Sequence, residues 1–274
     1  MTASTLKLDG GVVDEALGLI ERHTVIVGAS RGLGETVART LGAQPGARLS
    51  LCARSYNRLM GLSMELGTDR TAAISMDVCD PESIVNGIRR ANDTFGPPQG
   101  LVVTVGSHKM TPVHDTTAAA AARFESVLRT TLIGPWQVAQ QVAGLMGSGG
   151  SIVLVGNARA GNGMAGRHAH AAAKHGLVAL AKGMAAELGP RGVRVNVVIP
   201  GHMDTELGRS LLEHRATRSG APLQTVLDRA ARTTAMRRML SPADVAGTIQ
   251  FLLSSAASGV TGEAIEVSCG ATVG

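Results

Sequence analysis

The sequence predicts one α/β domain, built as a doubly wound parallel sheet of about seven strands flanked by helices. From residue 23 onward, short apolar runs rich in β-branched residues alternate with amphipathic segments. Strands of that composition are typical of parallel sheets buried on both faces, and the alternation implies right-handed crossovers. A chain of 274 residues, of which 44% are hydrophobic, is long and apolar enough to bury the core of such a domain.

Seven runs fit strands because each is short and apolar. They are His23–Val27, Arg48–Ala53, Ala72–Met76, Gly100–Val105, Ser151–Val155, Arg194–Ile199 and Ala264–Val267. Between them, apolar residues recur every three or four positions, which predicts helices. These helices are Glu35–Leu41, Tyr56–Leu66, Pro81–Asn92, Ala118–Met146, His168–Leu188 and Pro242–Ser254.

Two segments fall outside this alternation. Residues 1–22 form an N-terminal extension with a short amphipathic stretch, for which we expect a helix packed on the surface. Residues 202–240 are polar and rich in arginine, and they form a helical insert within a domain that spans residues 23–274. Inserts beyond the carboxyl ends of strands commonly shape substrate sites, so this insert is either a lid over the substrate or a plain surface excursion.

The composition argues against several classes of function. The net charge is +5, the arginines are dispersed, and aromatic residues make up only 2% of the chain, so nucleic-acid binding is not expected. Cys52, Cys79 and Cys269 are far apart and match no metal-ligand spacing, so no metal is expected. No apolar stretch reaches the ~20 residues that span a bilayer, and no signal peptide is evident. We therefore expect no membrane partner and a cytoplasmic location.

The stretch that begins at His23 carries the strongest functional signal in the chain. The first strand ends in a turn with three glycines, Gly28, Gly32 and Gly34, and an amphipathic segment follows at once. Glycines let the backbone approach a ligand closely, and a helix N-terminus offers free N–H groups and a positive dipole end. In a first βα unit this arrangement predicts a nucleotide phosphate, as in Rossmann-like dinucleotide sites.

The second predicted strand indicates which nucleotide is bound. It ends in Arg54 and Ser55, where dinucleotide-binding proteins contact the adenosine ribose. A carboxylate there binds a ribose 2′-hydroxyl, whereas an arginine accommodates a 2′-phosphate, and Arg31 in the glycine turn is a second cation within reach. We therefore expect NADP(H) rather than NAD(H), with a solvated surface role for Arg54 as the alternative.

Together these residues resemble the short-chain dehydrogenase/reductase family, in particular its beta-ketoacyl-carrier-protein reductase-like branch, over about residues 23–270. The matching motifs occur in the family's order: the glycine turn at residues 28–34, Asp77-Val78, Val195-Asn196, Pro200-Gly201, Phe251-Leu252 and Thr261-Gly262. The resemblance implies cofactor contacts from Gly28, Ser30, Arg31, Gly32, Leu33, Gly34, Arg54, Ser55, Asp77, Val78, Thr104, Gly106, Lys174, Pro200, Gly201, Met203 and Thr205.

The catalytic positions depart from the family's pattern. The family places a Tyr and a Lys four residues apart on one helix; here the Lys is Lys174, and His170 replaces the Tyr. Asn157, thirteen residues before His170, stands in place of the family's Ser, and Thr131 stands in place of its helical Asn. The family's Asn-Asn-Ala-Gly is replaced by Val103-Thr104-Val105-Gly106. The chain therefore keeps one of the family's four catalytic residues, whereas it keeps nearly all of the motifs that bind the cofactor.

The replacing residues are polar and can still carry chemistry. His170 and Lys174 share one helix face because they are four residues apart, and an imidazolium can donate a proton. The charge of Lys174 would favour the neutral ring, which weakens His170 as an acid, although a neutral ring still donates one hydrogen bond. Asn157 carries an amide N–H that can hold a carbonyl oxygen as the Ser would. The resemblance implies that Lys174 also bonds the nicotinamide ribose.

These observations predict an NADPH-dependent reductase of a small-molecule carbonyl or related C=X bond, with a non-standard active site. Two alternatives stay open: an NADP(H)-binding regulatory or partner subunit without reductase activity, and a redox-neutral or otherwise atypical enzyme. His108 and His202 lie where the family's cleft opens, and each is a candidate either to meet substrate or to form a partly exposed rim. The resemblance also implies a homo-oligomer, a tetramer or a dimer, formed through the helices Ala118–Met146 and His168–Leu188.

Overall fold

Seven strands form one parallel sheet in the computed structural model of the protein, which describes residues 22–158 and 165–271. The strands are β1 (His23–Val27), β2 (Arg48–Ala53), β3 (Thr71–Ser75), β4 (Gly100–Val103), β5 (Ser151–Val155), β6 (Arg194–Pro200) and β7 (Ala264–Val267). Their order across the sheet is β3-β2-β1-β4-β5-β6-β7, and every neighbouring pair is parallel. This order confirms the doubly wound α/β fold that the alternation predicts.

Helices cover both faces of the sheet. They are α1 (Gly32–Gly42), α2 (Tyr56–Leu66), α3 (Pro81–Phe95), α4 (Ala118–Leu128), α5 (Gly134–Leu145), α6 (His168–Leu188), α7 (Glu206–Ser219), α8 (Leu223–Arg232) and α9 (Pro242–Leu253). Helices α3, α5 and α6 pack against one face, and α1, α2 and α9 pack against the other. Both layers are built almost entirely from aliphatic residues, with a few methionines and cysteines, so a chain with few aromatics still forms an extensive core.

The glycine turn and the segment after β4 lie side by side at the carboxyl edge of the sheet. Strand β1 pairs with both β2 and β4, so that Val27 lies opposite Cys52 on one side and Val103 on the other. The direction of winding reverses between β1 and β4, and in open α/β sheets such a switch point leaves a crevice where ligands bind. The N–H of Thr104 donates to the Val27 carbonyl at 2.9 Å and ties the two segments together.

Two element boundaries differ from the prediction at places that matter for the site. Strand β4 ends at Val103 rather than at Val105, because the N–H and the hydroxyl of Thr104 both bond the Val27 carbonyl and the chain then leaves the sheet. A π-helical turn at Arg129–Ile133 separates α4 from α5, where a continuous helix is predicted. The other ends lie within three residues of those predicted.

The structure describes only one of the two segments that were predicted to fall outside the alternation of strands and helices. The predicted N-terminal extension lies outside the described residues except for Arg22, whose guanidinium donates to the Leu253 carbonyl at 3.0 Å. The insert at residues 202–240 contains the two helices α7 and α8, which follow β6 at the carboxyl edge of the sheet. Among residues 22–158 and 165–271, no helix combines the length and apolarity needed to cross a membrane.

Candidate active site

Only glycine fits the turn that follows β1. Gly28 has a φ of 94°, in the left-handed region, and a Cβ there would lie 2.4 Å from Thr104 Oγ1. A Cβ on Gly34 would lie 2.2 Å from the Gly28 carbonyl oxygen, so the first turn of α1 packs directly on the glycine turn. Thr104 Oγ1 donates to the Val27 carbonyl at 3.0 Å and supports the turn from the β4 side. Thr104, a predicted cofactor residue, therefore helps to fix the shape of the glycine turn.

The first turn of α1 presents free backbone N–H groups next to the glycine turn. Arg31 is the N-cap residue, and no side chain caps the helix there. The first N–H groups of a helix have no partner within the helix, and together with the dipole they favour a phosphate. Arg31 and Arg54 are exposed, and across the described part of the chain neither guanidinium pairs with a carboxylate. The residues present therefore fit the phosphates of a dinucleotide.

Asp77 and Val78, which are predicted to contact the cofactor, lie just after the edge strand β3 at the carboxyl edge of the sheet. The Asp77 carboxylate accepts the N–H of Cys79 at 2.9 Å and so fixes the turn that follows β3. Val78 is buried, and a Cβ on Gly134 would lie 2.2 Å from its carbonyl oxygen. The start of α5 therefore packs against the backbone of this pair without any intervening side chain.

Three residues that are predicted to contact the cofactor follow β6 and also make structural contacts. They are Gly201, Met203 and Thr205. A Cβ on Gly201 would lie 2.9 Å from the Ser268 Cα, so the chain after β6 passes close to the chain after β7. Thr205 caps α7 by accepting the N–H of Gly208 at 3.0 Å. Met203 forms an isolated parallel bridge with Leu240, the last residue of the insert. These contacts fix where the insert leaves the sheet.

His170 and Lys174 lie together on the buried face of α6, as their spacing predicts. The exposed fraction is 0% for His170 and 6% for Lys174. Lys174 Nζ donates to the carbonyls of Val155 at 2.6 Å and Val105 at 3.3 Å, at the ends of β5 and just beyond β4. Burial lowers the pKa of Lys174 to about 8, and these carbonyls compensate part of the cost of burying the ammonium.

The partners of His170 determine which of its nitrogens carries the proton. Nδ1 lies 2.8 Å from the Ser107 carbonyl oxygen, which can only accept, so Nδ1 carries the hydrogen. Nε2 lies 3.5 Å from Asn157 Nδ2 and therefore faces an N–H donor as an acceptor. Burial, and then the charges of Lys174 and Arg167, lower the pKa of His170 to about 4. The charge of Lys174 acts in the predicted direction, towards the neutral ring, but burial is the larger cause.

Thr131 reaches the site through the backbone of Ser107. The π-helical turn places the buried Thr131 hydroxyl so that its Oγ1 accepts the N–H of Ser107 at 3.0 Å. The Ser107 carbonyl accepts from His170 Nδ1, so Thr131 and His170 hold the two sides of one residue. A Cβ on the preceding Gly106 would lie 3.5 Å from Lys174 Nζ and 3.7 Å from Thr131 Cγ2. Sequence reasoning missed Ser107 because its role belongs to backbone atoms, which leave no residue-type signal.

His108 stacks on His170, a contact that the sequence does not predict. The ring centroids are 4.2 Å apart and the planes are inclined by 32°. Burial, and then the neighbouring His170, Lys174 and Arg167, lower the pKa of His108 to about 3. Of the two histidines expected at the cleft opening, His108 thus contacts His170 on α6. His202 lies at the start of the insert, two residues before Asp204, whose pKa is lowered mainly by the hydrogen bond from Arg209.

Comparison with known proteins agrees with this architecture. The family model described as enoyl-(acyl carrier protein) reductase matches residues 28–272. An uncharacterized oxidoreductase of Mycobacterium tuberculosis is 32% identical over 259 residues, which cover 92% of each chain. The 3-oxoacyl-(acyl-carrier-protein) reductase of Vibrio cholerae is 29% identical over 256 residues, covering 93% of this chain and 98% of the relative.

Solved structures show the same fold along almost the whole chain. A short-chain dehydrogenase/reductase from Brucella melitensis superimposes with a TM-score of 0.84 at 27% identity, covering 94% of this chain and 99% of its own. A variant of actinorhodin polyketide ketoreductase, solved with NADPH, gives a TM-score of 0.84 at 26% identity, with coverages of 93% and 98%. The chain therefore belongs to the short-chain dehydrogenase/reductase family and is an oxidoreductase of that type.

Proposed function

We propose that the protein reduces a carbonyl or related C=X bond of a small molecule with NADPH, using His170 where the family uses a Tyr. The observation that carries this proposal is the meeting of His170 Nε2 and the Asn157 amide at 3.5 Å, with Lys174 one turn further along the same helix face. Both groups can address one substrate oxygen, which is the geometry that proton transfer to a carbonyl requires. Relatives named as oxidoreductases, and a ketoreductase solved with NADPH, support the reaction class.

The glycine turn, Arg31, Arg54 and Lys174 would hold the cofactor, which supplies a hydride when it is bound as NADPH. Arg31 and Arg54 favour NADPH over NADH because a guanidinium matches the geometry and charge of a 2′-phosphate. Within the described ranges both arginines lack a competing carboxylate partner, so the phosphate would be their natural one.

A charge reversal tests this choice of cofactor. We expect Arg54→Glu to raise the Kd for NADPH by at least about tenfold, since one charge-assisted pair is replaced by a repulsion. The Kd for NADH should change much less, because NADH lacks the 2′-phosphate. Fluorescence titration of the reduced cofactors measures both constants, and Arg90→Glu, an exposed site on α3, is the matched control. Equal weakening of NADPH and NADH would refute the assignment.

In the reduction, the chain's own residues hold the substrate oxygen and move one proton. The Asn157 amide donates a hydrogen bond to the oxygen, and His170 delivers the proton from Nε2. Because the Nδ1 hydrogen is committed to Ser107, delivery from Nε2 requires the doubly protonated imidazolium. In the reverse direction, Nε2 of the neutral ring accepts the proton of a substrate hydroxyl.

NADPH consumption in the presence of aldehydes, ketones, imines and enones tests the reaction class. We expect one of these classes to be reduced, and we expect His170→Ala to lower kcat/KM by about 10²–10⁴-fold, the usual cost of losing a positioned acid. His175→Ala, which removes an exposed histidine from the same helix, is the control. Unchanged turnover in His170→Ala excludes the proposed role of this residue.

One observation favours the second candidate function, cofactor binding without reduction. His170 is fully buried, and its single hydrogen is already donated to Ser107. Tight NADPH binding with no oxidation by any compound class in the same assay would select this alternative.

We further infer a homo-oligomer, a tetramer or a dimer, that uses the outer faces of α4, α5 and α6. Phe124 on α4 and Trp136 on α5 are exposed, and aromatic side chains are enriched at protein interfaces. The insert at residues 202–240 is proposed to border the substrate, and the domain is proposed to span residues 23–274. The free thiols of Cys52, Cys79 and Cys269 support a reducing, cytoplasmic environment.

A further inference from the structure

His108 has a buried polar atom without a partner. Its ring is half-buried, and the enclosed Nδ1 makes no hydrogen bond within residues 22–158 and 165–271. An unpaired buried nitrogen is costly, so in a native structure it calls for a water, an ion or a bound molecule. The proposed reaction gives this nitrogen no role.

The segment that carries His108 is fastened to α6 on both sides of that residue. Before it, the Ser107 carbonyl accepts from His170 Nδ1 at 2.8 Å. After it, Thr111 Oγ1 accepts the N–H of Ala169 at 3.2 Å. The backbone around His108 is therefore fixed before any ligand binds, as a preorganised binding group requires.

The contact between the two histidine rings determines how far this nitrogen lies from the proposed reaction centre. The centroids of the His108 and His170 rings are 4.2 Å apart. Because each nitrogen lies close to the centre of its own ring, one small molecule can reach both residues. A group that His108 Nδ1 binds would then stand one or two carbons away from the carbonyl that meets His170 and Asn157.

Two properties of the nitrogen identify the group that fits it. Nδ1 is enclosed, so the group must be small. Burial is the main cause that lowers the pKa of His108 to about 3, so the ring is neutral and its Nδ1 either donates or accepts, depending on which nitrogen carries the hydrogen. A hydroxyl is as small as a water, and because it both donates and accepts it satisfies Nδ1 in either case. A methyl group in the same place satisfies it in neither.

We propose that His108 Nδ1 binds a hydroxyl group of the substrate, which is then a hydroxy ketone or hydroxy aldehyde with its hydroxyl one or two carbons from the reacting carbonyl. His108 is thereby a specificity-determining residue, because a carbonyl compound without the hydroxyl leaves the buried nitrogen unpaired. This assignment rests on the proposed function, since the carbonyl position is the one assigned there.

Matched pairs of ketones test this selection. Hydroxyacetone and butanone differ only by a hydroxyl in place of a methyl group, and so do 4-hydroxybutan-2-one and pentan-2-one. The measured quantity is the preference, defined as kcat/KM of the hydroxy ketone divided by that of its partner. In at least one pair, we expect His108→Phe to lower this preference by at least about tenfold, because the variant keeps a ring but has no polar atom. The intrinsic reactivities of the two ketones cancel, since the same pair is compared in both proteins.

Two further variants separate hydroxyl binding from a structural effect. His108→Asn keeps a polar atom at the position of Nδ1 and should retain most of the preference. His114→Phe makes the same substitution as His108→Phe at an exposed position of the same segment and should leave the preference unchanged. If the wild-type protein and His108→Phe show the same preference, the assignment is overturned and a water alone accounts for the nitrogen.

A binding measurement separates this assignment from the proposed reaction. Hydroxyacetamide and propanamide, and likewise 3-hydroxypropanamide and butanamide, form matched pairs of amides that a nicotinamide cofactor does not reduce. Their effect on the thermal unfolding midpoint is measured with NADP⁺ present. In at least one pair the hydroxy amide should raise the midpoint more than its partner in the wild-type protein and not in His108→Phe. If that holds while no hydroxy ketone consumes NADPH, the reductase proposal fails and the role of His108 stands. Equal shifts within both pairs, or a difference that survives in His108→Phe, overturn the role of His108.

Discussion

His170 shows how two backbone contacts set the chemistry of a side chain. The Ser107 carbonyl fixes the hydrogen on Nδ1, and burial keeps the ring neutral by lowering its pKa to about 4. At neutral pH only about one ring in a thousand carries the second proton that reduction requires. The neutral ring is therefore the prevailing form but a weak base, and the rare protonated ring is a strong acid.

The rate of reduction should therefore depend steeply on pH. We expect kcat/KM to rise about tenfold for each unit of pH decrease between 7 and 5, because the protonated fraction of a group with a pKa of about 4 changes by that factor. In His170→Gln the slope should disappear, whereas His175→Gln should retain it. A flat wild-type profile, or a slope that persists in His170→Gln, contradicts the assignment of His170 as the donor.

At the scale of elements, the sequence predicted every strand of the described sheet but not the interruption between α4 and α5. The strands were predictable because buried parallel strands require short apolar runs. The π-helical turn at Arg129–Ile133 leaves no comparable signal, since apolar periodicity continues on both sides of it. The stacking of His108 on His170 and the use of Ser107 backbone atoms also depend on how the chain returns in space, which local patterns do not encode.

Removing the Thr131 hydroxyl tests the importance of its contact with Ser107. Thr131→Val keeps the shape but leaves the N–H of Ser107 without its acceptor, so we expect a loss of about 1–3 kcal/mol in the free energy of unfolding. Urea unfolding measures this loss. The control is Thr130→Val. Thr130 donates to the Ser126 carbonyl, which keeps another donor in the N–H of Arg129, and the second contact of its hydroxyl, 3.2 Å from Cys79 Sγ, involves a weak partner, so the loss should be smaller. Equal losses in the two variants would show that the Ser107 contact has no special weight.

On the scale of the whole molecule, three partly or fully buried histidines make the fold sensitive to acid. His23 donates from Nδ1 to the Gly96 carbonyl at 2.8 Å, and its Nε2 lies 2.9 Å from Ser50 Oγ, so its neutral form is satisfied on both sides. Burial is the main cause that lowers the pKa of His23, and it likewise lowers those of His108 and His170 to about 3 and about 4. The folded protein thus resists protonation that the unfolded chain accepts.

Stability should consequently fall as the pH decreases from about 6.5 towards 4. Below the unfolded pKa of about 6.5, each such histidine costs up to about 1.4 kcal/mol per pH unit until its folded pKa is reached. Urea unfolding at pH 7.5, 6 and 5 measures the slope, which His23→Gln should reduce and the exposed control His214→Gln should not. A free energy of unfolding that stays constant over this range is incompatible with these three neutral histidines.

The double hold on Ser107 has a consequence for how this active site can change during evolution. Both atoms that connect Thr131 to His170 belong to the main chain, so no replacement of the Ser107 side chain can release them, except one by proline, which has no N–H. The orientation of the imidazole is inherited with the path of the chain rather than with the identity of one residue. The side chain at position 107 can therefore change during evolution while the hydrogen of the His170 ring stays on Nδ1. An alignment of residue types would not reveal this constraint.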